Sequence, residues 1–379
     1  MKKISYGRQW INDDDINAVV NVLKGDWLTM GPTVSAFEES LASYAGVKHA
    51  VTFSSGTAAL HGAMYAAGLT EGDYAITTAL TFVATSNSAL YMGATPLFGD
   101  IDPSTLCLDP QKAEDLAKAH AGKVKAIVPV SFAGYPFDAA PFKELAAKHN
   151  AVFIEDASHA WGGDRANHKI GYDADMTTLS FHPVKHITTA EGGAVLTNDD
   201  TYAKKLRTFR NHGTTRDEAE FVDVPDGIWH SEMQDLGYNY RLSEVHCALG
   251  LSQMKRLDEF VSRRRELAKL YIEQLSGLDG VILPTQKDGH AWHLFVLQVR
   301  EELHKELFMY LRENGINPQV HYRPVPLQPY YRQRFGYKAG DFPEAERYYK
   351  RAMSLPLFPL MEDSDVHRVT DTIKKFLGR

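Results

Sequence analysis

Short apolar runs, each the length of one buried strand, recur through the first half of the chain at residues 50–53, 74–78, 95–98, 125–130 and 151–154. A strand covered on one face alternates apolar with polar residues; runs such as Ala-Ile-Val-Pro-Val and Ala-Val-Phe-Ile do not, so both of their faces must be covered. Helical patterns lie between several of them, as at residues 141–148. That order predicts crossover units, a mostly parallel sheet and an α/β three-layer sandwich extending over residues 45 to 198.

The rhythm then changes. Residues 242–275 read as one long helix-like stretch, with Leu249, Met254, Leu257, Val261, Leu267 and Leu270 near helical spacing. A second, smaller α/β domain is expected to follow, with a strand at 293–297, a helix near 305–312 and a strand at 317–321. The division is therefore placed between residues 1–245, an N-terminal arm with the large domain, and residues 246–379, the small C-terminal domain. Arg263-Arg264-Arg265 falls on the long helix and reads as a solvated face, because neither a wider basic field nor an RNA-type aromatic motif accompanies it.

Composition narrows the class of protein. The chain has 48 acidic against 41 basic residues, a formal charge of −7, and is 44% hydrophobic and 23% charged. Those values exclude disordered and collagen-like chains, and no apolar run reaches membrane-spanning length. The opening Met1-Lys2-Lys3-Ile4-Ser5 has no apolar stretch behind its lysines and does not read as a secretory signal. Two cysteines, Cys107 and Cys247, support neither a disulfide framework nor a multi-cysteine zinc site; buried thiols and a cytoplasmic location are expected.

Three segments carry chemistry. Ser54-Ser55-Gly56-Thr57-Ala58-Ala59-Leu60 follows a predicted strand and opens a helix, the arrangement of an anion cup in which first-turn N–H groups have no helical partner. By itself a serine-capped helix is the better explanation, because hydroxyl-rich N-caps are common. Glu155-Asp156 ends the strand at 151–154, at the edge where open parallel sheets bind ligands; such a carboxylate suits a metal ligand, a cap, or the partner of a cationic ring nitrogen. Lys185 lies in a glycine- and hydroxyl-rich turn, Phe181-His182-Pro183-Val184-Lys185-His186-Ile187-Thr188-Thr189-Ala190-Glu191-Gly192-Gly193. Together an amine, a carboxylate and an anion cup point to pyridoxal phosphate. His182 and His186 are four apart, but without an HExxH pattern or a nearby cysteine they do not make a metal site, and no metal is expected.

These blocks, with Asp26-Trp27-Leu28-Thr29-Met30-Gly31-Pro32, Thr81-Phe82-Val83-Ala84-Thr85, Ala157-Ser158-His159-Ala160 and Gly237-Tyr238-Asn239-Tyr240-Arg241-Leu242, resemble the DegT/DnrJ/EryC1/StrS sugar-nucleotide aminotransferases over nearly the whole chain. The resemblance implies the aspartate-aminotransferase type I fold and pyridoxal phosphate, with pyridoxamine phosphate as the amine-carrying form. It implies that Lys185 takes the cofactor aldehyde and then acts as acid and base, that Asp156 holds the ring nitrogen protonated, and that His159 sits beside Asp156. Phe82 would lie over the ring, Gly56, Thr57 and Ser180 would bind the phosphate, and Asn239 would reach the phosphate of a neighbouring subunit in a homodimer. Tyr6, Trp27, Leu28, Thr29, Val320, His321, Tyr322 and Arg323 match sugar-nucleotide positions. Within the family the lysine loop and Val320-His321-Tyr322-Arg323-Pro324 are most similar to the pseudaminic acid branch, where L-glutamate aminates the C4 ketone of UDP-2-acetamido-2,6-dideoxy-β-L-arabino-hexos-4-ulose. Many relatives carry glycine where Ala190 stands. Another UDP- or GDP-4-keto-6-deoxy sugar, as in perosamine synthesis, and a non-catalytic regulator on the same fold are the alternatives.

Overall fold

The computed structural model describes residues 3–378; Met1 and Lys2 of the opening segment, and Arg379, lie outside the described residues. Seven strands form the main sheet: β1 (His49–Phe53), β2 (Tyr74–Thr78), β3 (Thr95–Gly99), β4 (Val124–Val128), β5 (Val152–Asp156), β6 (Met176–Ser180) and β7 (Gly193–Thr197). Their spatial order is β1-β7-β6-β5-β4-β2-β3, and β7 alone runs antiparallel to its neighbours. The five predicted runs all become strands of this sheet. Pro96 is tolerated because β3 is an edge strand, where a missing N–H breaks no central ladder. The buried interiors of the strands explain their unbroken apolar character.

Helices cover both faces. The helix at Gly56–Ala66 (α1) and that at Asp200–Phe209 pack over β1, β6 and β7 with a core of Val51, Phe53, Met64, Leu206 and Phe209. On the other side Phe37 and Leu41, from the helix at Pro32–Ala45, join Leu179, Leu196 and Cys247. Cys107 and Cys247 are both free and buried, as expected.

Three readings of the second half need correction. The stretch 242–275 is two helices, α2 (Glu244–Met254) and α3 (Leu257–Leu275), broken at Lys255 and Arg256; the apolar period continues across the break, so spacing could not show it. Packing changes hands along α3: Leu257, Phe260 and Val261 join the large-sheet core, whereas Leu267, Tyr271 and Leu275 join the core of a three-stranded sheet, β8 (Val281–Ile282), β9 (Phe295–Val299) and β10 (Ala352–Leu355). Residues 317–321 are not a strand; only Ile316, bridged to Ile4, and Gln319, bridged to Ser354, pair there. The Arg263–Arg265 run is not a solvated face throughout, because Arg264 is only 1% exposed. Backbone carbonyls from separate segments converge on its guanidinium, a surrounding that only the tertiary fold creates.

Candidate active site

The C-terminal edge of the parallel strands gathers the candidate residues. Asp156 ends β5, Ser180 ends β6, and α1 starts just after β1. Ser55 is the N-cap of α1, its Oγ accepting from the Ala58 N–H at 3.1 Å, so the cap reading holds; Gly56 and Thr57 then head the helix, where their N–H groups have no carbonyl of their own helix to bind. Glycine is required here by crowding. A Cβ on Gly56 would stand 2.8 Å from Ser180 Cβ, and one on Gly193 would stand 2.6 Å from the Ser55 carbonyl oxygen. The helix N-terminus is thus seated directly on the strand ends.

The Lys185 loop joins β6 to β7 and is closed at its neck by the Phe181 N–H on the Gly192 carbonyl at 2.9 Å. Its hydroxyls serve the loop itself: Thr188 Oγ1 donates to Phe181 O at 3.0 Å and Thr189 Oγ1 to Glu191 O at 2.7 Å. Ala190 has φ +67°, a left-handed conformation that a glycine would adopt with less strain.

These elements surround a cavity of about 420 Å³. Ten of the predicted residues line it: Lys185, Asp156, His159, Gly56, Thr57, Phe82, Ser180, Tyr6, His321 and Tyr322. Tyr6 is carried there by the N-terminal arm, whose carbonyl at Tyr6 accepts from Leu357 N at 3.0 Å. The other six do not line it. Trp27, Leu28, Thr29, Asn239 and Arg323 are exposed, and Val320 is partly exposed beside the cavity segment.

Asp156 is held by two donors, Thr85 Oγ1 at 2.7 Å and Ser158 N at 3.1 Å, and Thr85 is itself bonded to Thr81 Oγ1 at 2.8 Å. The sequence gives Thr85 no role of its own, although Thr81 and Thr85 flank Phe82 four residues apart. His293 reads in the sequence as one more position in a strand, yet its ring lies 4.4 Å from that of His159 at the cavity. Burial pushes the Lys185 amine down to about 8, the nearby Arg264 charge acts in the same direction, and Asp156 opposes both. Burial likewise drives His159 well below the ordinary histidine value, so its imidazole is neutral. His159 Nε2 is 3.4 Å from the Tyr322 hydroxyl, and its Nδ1 is buried without a partner. Among the described residues no group of three or more His, Cys, Asp or Glu side chains is arranged to hold a metal. His182 and His186 sit in an irregular turn and share no helix.

The site is therefore a half-open cavity with an amine of lowered basicity, a fixed carboxylate and a helix N-terminal cup. This combination on a doubly covered sheet is the equipment of a pyridoxal-phosphate enzyme. Residues 9–374 match the DegT/DnrJ/EryC1/StrS aminotransferase family, and the chain belongs to that family. It is 40% identical over 378 residues to the spore coat polysaccharide biosynthesis protein SpsC of Bacillus subtilis, covering 98% of this chain and 96% of that protein. Helicobacter pylori PseC, described as an aminotransferase involved in the biosynthesis of pseudoaminic acid, superposes with a TM-score of 0.91 at 32% identity over the full length of both chains. The putative sugar aminotransferase Spr1654 of Streptococcus pneumoniae, in its pyridoxamine-phosphate form, gives a TM-score of 0.92 at 26% identity over 99% of each chain. The protein is a pyridoxal-phosphate-dependent sugar aminotransferase.

Proposed function

We propose that this enzyme transfers the amino group of L-glutamate to the C4 ketone of UDP-2-acetamido-2,6-dideoxy-β-L-arabino-hexos-4-ulose, giving UDP-4-amino-4,6-dideoxy-N-acetyl-β-L-altrosamine for pseudaminic acid biosynthesis. The observation that carries the reading is the full-length likeness to PseC, together with a cavity in which Lys185, Asp156 and the Gly56–Thr57 cup face one another. The residues present fit the cofactor: the cup suits a phosphate, the orphaned His159 Nδ1 lies at the cavity wall, and Lys185 supplies an amine.

Bound there, pyridoxal phosphate supplies an electron sink and a temporary carrier for the amino group. Gly56, Thr57 and Ser180 would hold the phosphate, Phe82 would cover the ring, and Asp156 would pair with the ring nitrogen. Lys185 removes the proton from the amino-bearing carbon of glutamate and delivers one to sugar C4. Because one lysine serves one side of the cavity, the configuration at C4 follows from how the sugar docks against Tyr6, His321 and Tyr322. Asn239 would reach the phosphate of the neighbouring subunit in a homodimer, and Trp27, Leu28, Thr29, Val320 and Arg323 would line the sugar-nucleotide site. Support for a second copy comes from the exposed Trp27, Leu28, Met30 and Trp229, large apolar side chains at 58%, 52%, 59% and 74% exposure. The division into 1–245 and 246–379 is proposed as a functional one, the small domain bringing His321 and Tyr322 to the large, although Cys247, Leu257, Phe260 and Val261 pack in the large-sheet core. No described helix is long and apolar enough to cross a membrane, and two buried free thiols suit a reducing cytoplasm.

The higher identity to SpsC favours a second reading, amination of a different 4-keto-6-deoxy sugar nucleotide. One cuvette separates them. Glutamate should convert the visible band of the loaded enzyme, and the UDP-β-L-arabino 4-keto sugar should restore it; restoration only by another UDP- or GDP-4-keto sugar selects the second reading. Lys185→Ala should abolish both changes, and turnover at the normal rate by that variant would refute the role of Lys185.

A further inference from the structure

Arg264 stands out within its own run. Arg263 pairs with Glu266 and Asp363, and Arg265 pairs with Asp164. Arg264, between them on α3, points inward and forms no ion pair with any described carboxylate. Its Nη1 donates to the carbonyls of Leu357 at 2.8 Å, His293 at 3.3 Å and Trp292 at 3.4 Å, and its Nη2 to the carbonyl of Val184 at 3.4 Å, while Nε is buried without an acceptor. A buried cation satisfied only by backbone dipoles is costly to a fold. Its position gives a reason to keep it. Val184 immediately precedes Lys185 and lines the same cavity.

We propose that Arg264 is a positioning residue for Lys185: it ties the lysine loop at Val184 to the segments carrying His293 and Leu357, and it sets an uncompensated positive charge behind the loop that carries the Lys185 amine. The inference rests on Lys185 being the reactive amine of the proposed reaction. The other titratable groups around Lys185 are Asp156 from β5, His159 after it, His182 and His186 in the loop, His293 before β9, and His321, with Tyr6, Glu191 and Tyr322 on the same cavity wall. All five histidines are driven below their ordinary value, mainly by burial, and carry no charge where an amine of this kind titrates. Asp156 and Arg264 are thus the two charges that bias Lys185, in opposite directions.

The test is trace acetylation of the full-length protein without cofactor, using acetic anhydride across about pH 6 to 11 and quantifying the Lys185 peptide by mass spectrometry. The wild-type midpoint is expected near 8. Arg264→Gln keeps donors and removes the charge, and should move the midpoint up by roughly half a pH unit or more. Arg264→Met stands in should that variant fail to fold. Arg264→Lys keeps the charge and should hold the wild-type midpoint. A purely structural role would lower the melting temperature of the variants with the midpoint unmoved, and that result overturns the proposal, as does an equal shift in the Gln and Lys variants. Failure of wild-type protein to capture pyridoxal phosphate at Lys185 would instead refute the functional reading, since acetylation does not involve the cofactor.

Discussion

Replacing Thr85 by valine removes one hydroxyl and almost nothing else, because the two side chains have nearly the same shape. The hydroxyl lost is the 2.7 Å donor to Asp156 Oδ2, at a site where Thr85 and Asp156 are only 1% and 4% exposed. A hydrogen bond to a charged group contributes about 1.5–3 kcal/mol. The same substitution strips Thr81 Oγ1 of its 2.8 Å partner inside the protein, which can bring the total to about 4 kcal/mol. Ser158 N, at 3.1 Å, bonds the other carboxylate oxygen and cannot replace the lost donor at Oδ2. Thr85→Val should therefore lower stability by about 2–4 kcal/mol in urea melts of cofactor-free protein at matched concentration, and Thr85→Ser should recover most of it. Pyridoxal phosphate affinity should fall by about tenfold or more, because a carboxylate held by one donor instead of two no longer fixes the oxygen proposed to face the ring nitrogen. A Thr85→Val protein within about 0.5 kcal/mol of wild type would refute the premise that this hydroxyl holds Asp156.

Two further outcomes follow from the geometry. Gly56→Ala must push the first turn of α1 away from Ser180, whose Cβ would lie 2.8 Å from the new methyl, so absorbance titration should show about tenfold weaker pyridoxal phosphate binding; affinity within about twofold of wild type would count against the cup. His61, buried among Tyr91, Phe209, Tyr238 and Tyr240, is pushed by burial down to about 4. The unfolded chain takes up that proton more readily, so the contribution of neutral His61 is complete above about pH 6.5 and is lost as pH falls toward 4. His61→Phe should flatten the pH dependence of the urea midpoint in that window by up to one proton, about 1.4 kcal/mol per pH unit, and an unchanged slope would show that His61 does not titrate this way.

Local pattern was enough for the large sheet and for the heart of the site. Doubly buried strands write themselves as unbroken apolar runs, and a lysine, a strand-end aspartate and a hydroxyl-glycine helix start are recognisable because each depends on a few consecutive residues. Lys185, Asp156, Gly56 and Thr57 accordingly meet around one cavity, together with His159, Phe82 and Ser180, which only the family resemblance pointed to. The placement of Asn239 and Trp27 on an exposed surface, rather than in that cavity, depends on chain segments far apart in sequence.

What local pattern could not carry was any property created by distant segments meeting. The break between α2 and α3 is invisible because the apolar period passes through it. The burial of Arg264 depends on carbonyls from residues 184, 292, 293 and 357, none of them near it in the chain, so three consecutive arginines read alike although two meet carboxylates and one meets backbone. Thr85 and His293 likewise gain their places only when β5, the helix after β2 and the approach to β9 are brought together. A side chain's type and its immediate neighbours set what chemistry it can offer; the low-dielectric surroundings that shift its charge and hold its angle exist only once the whole chain has closed around it.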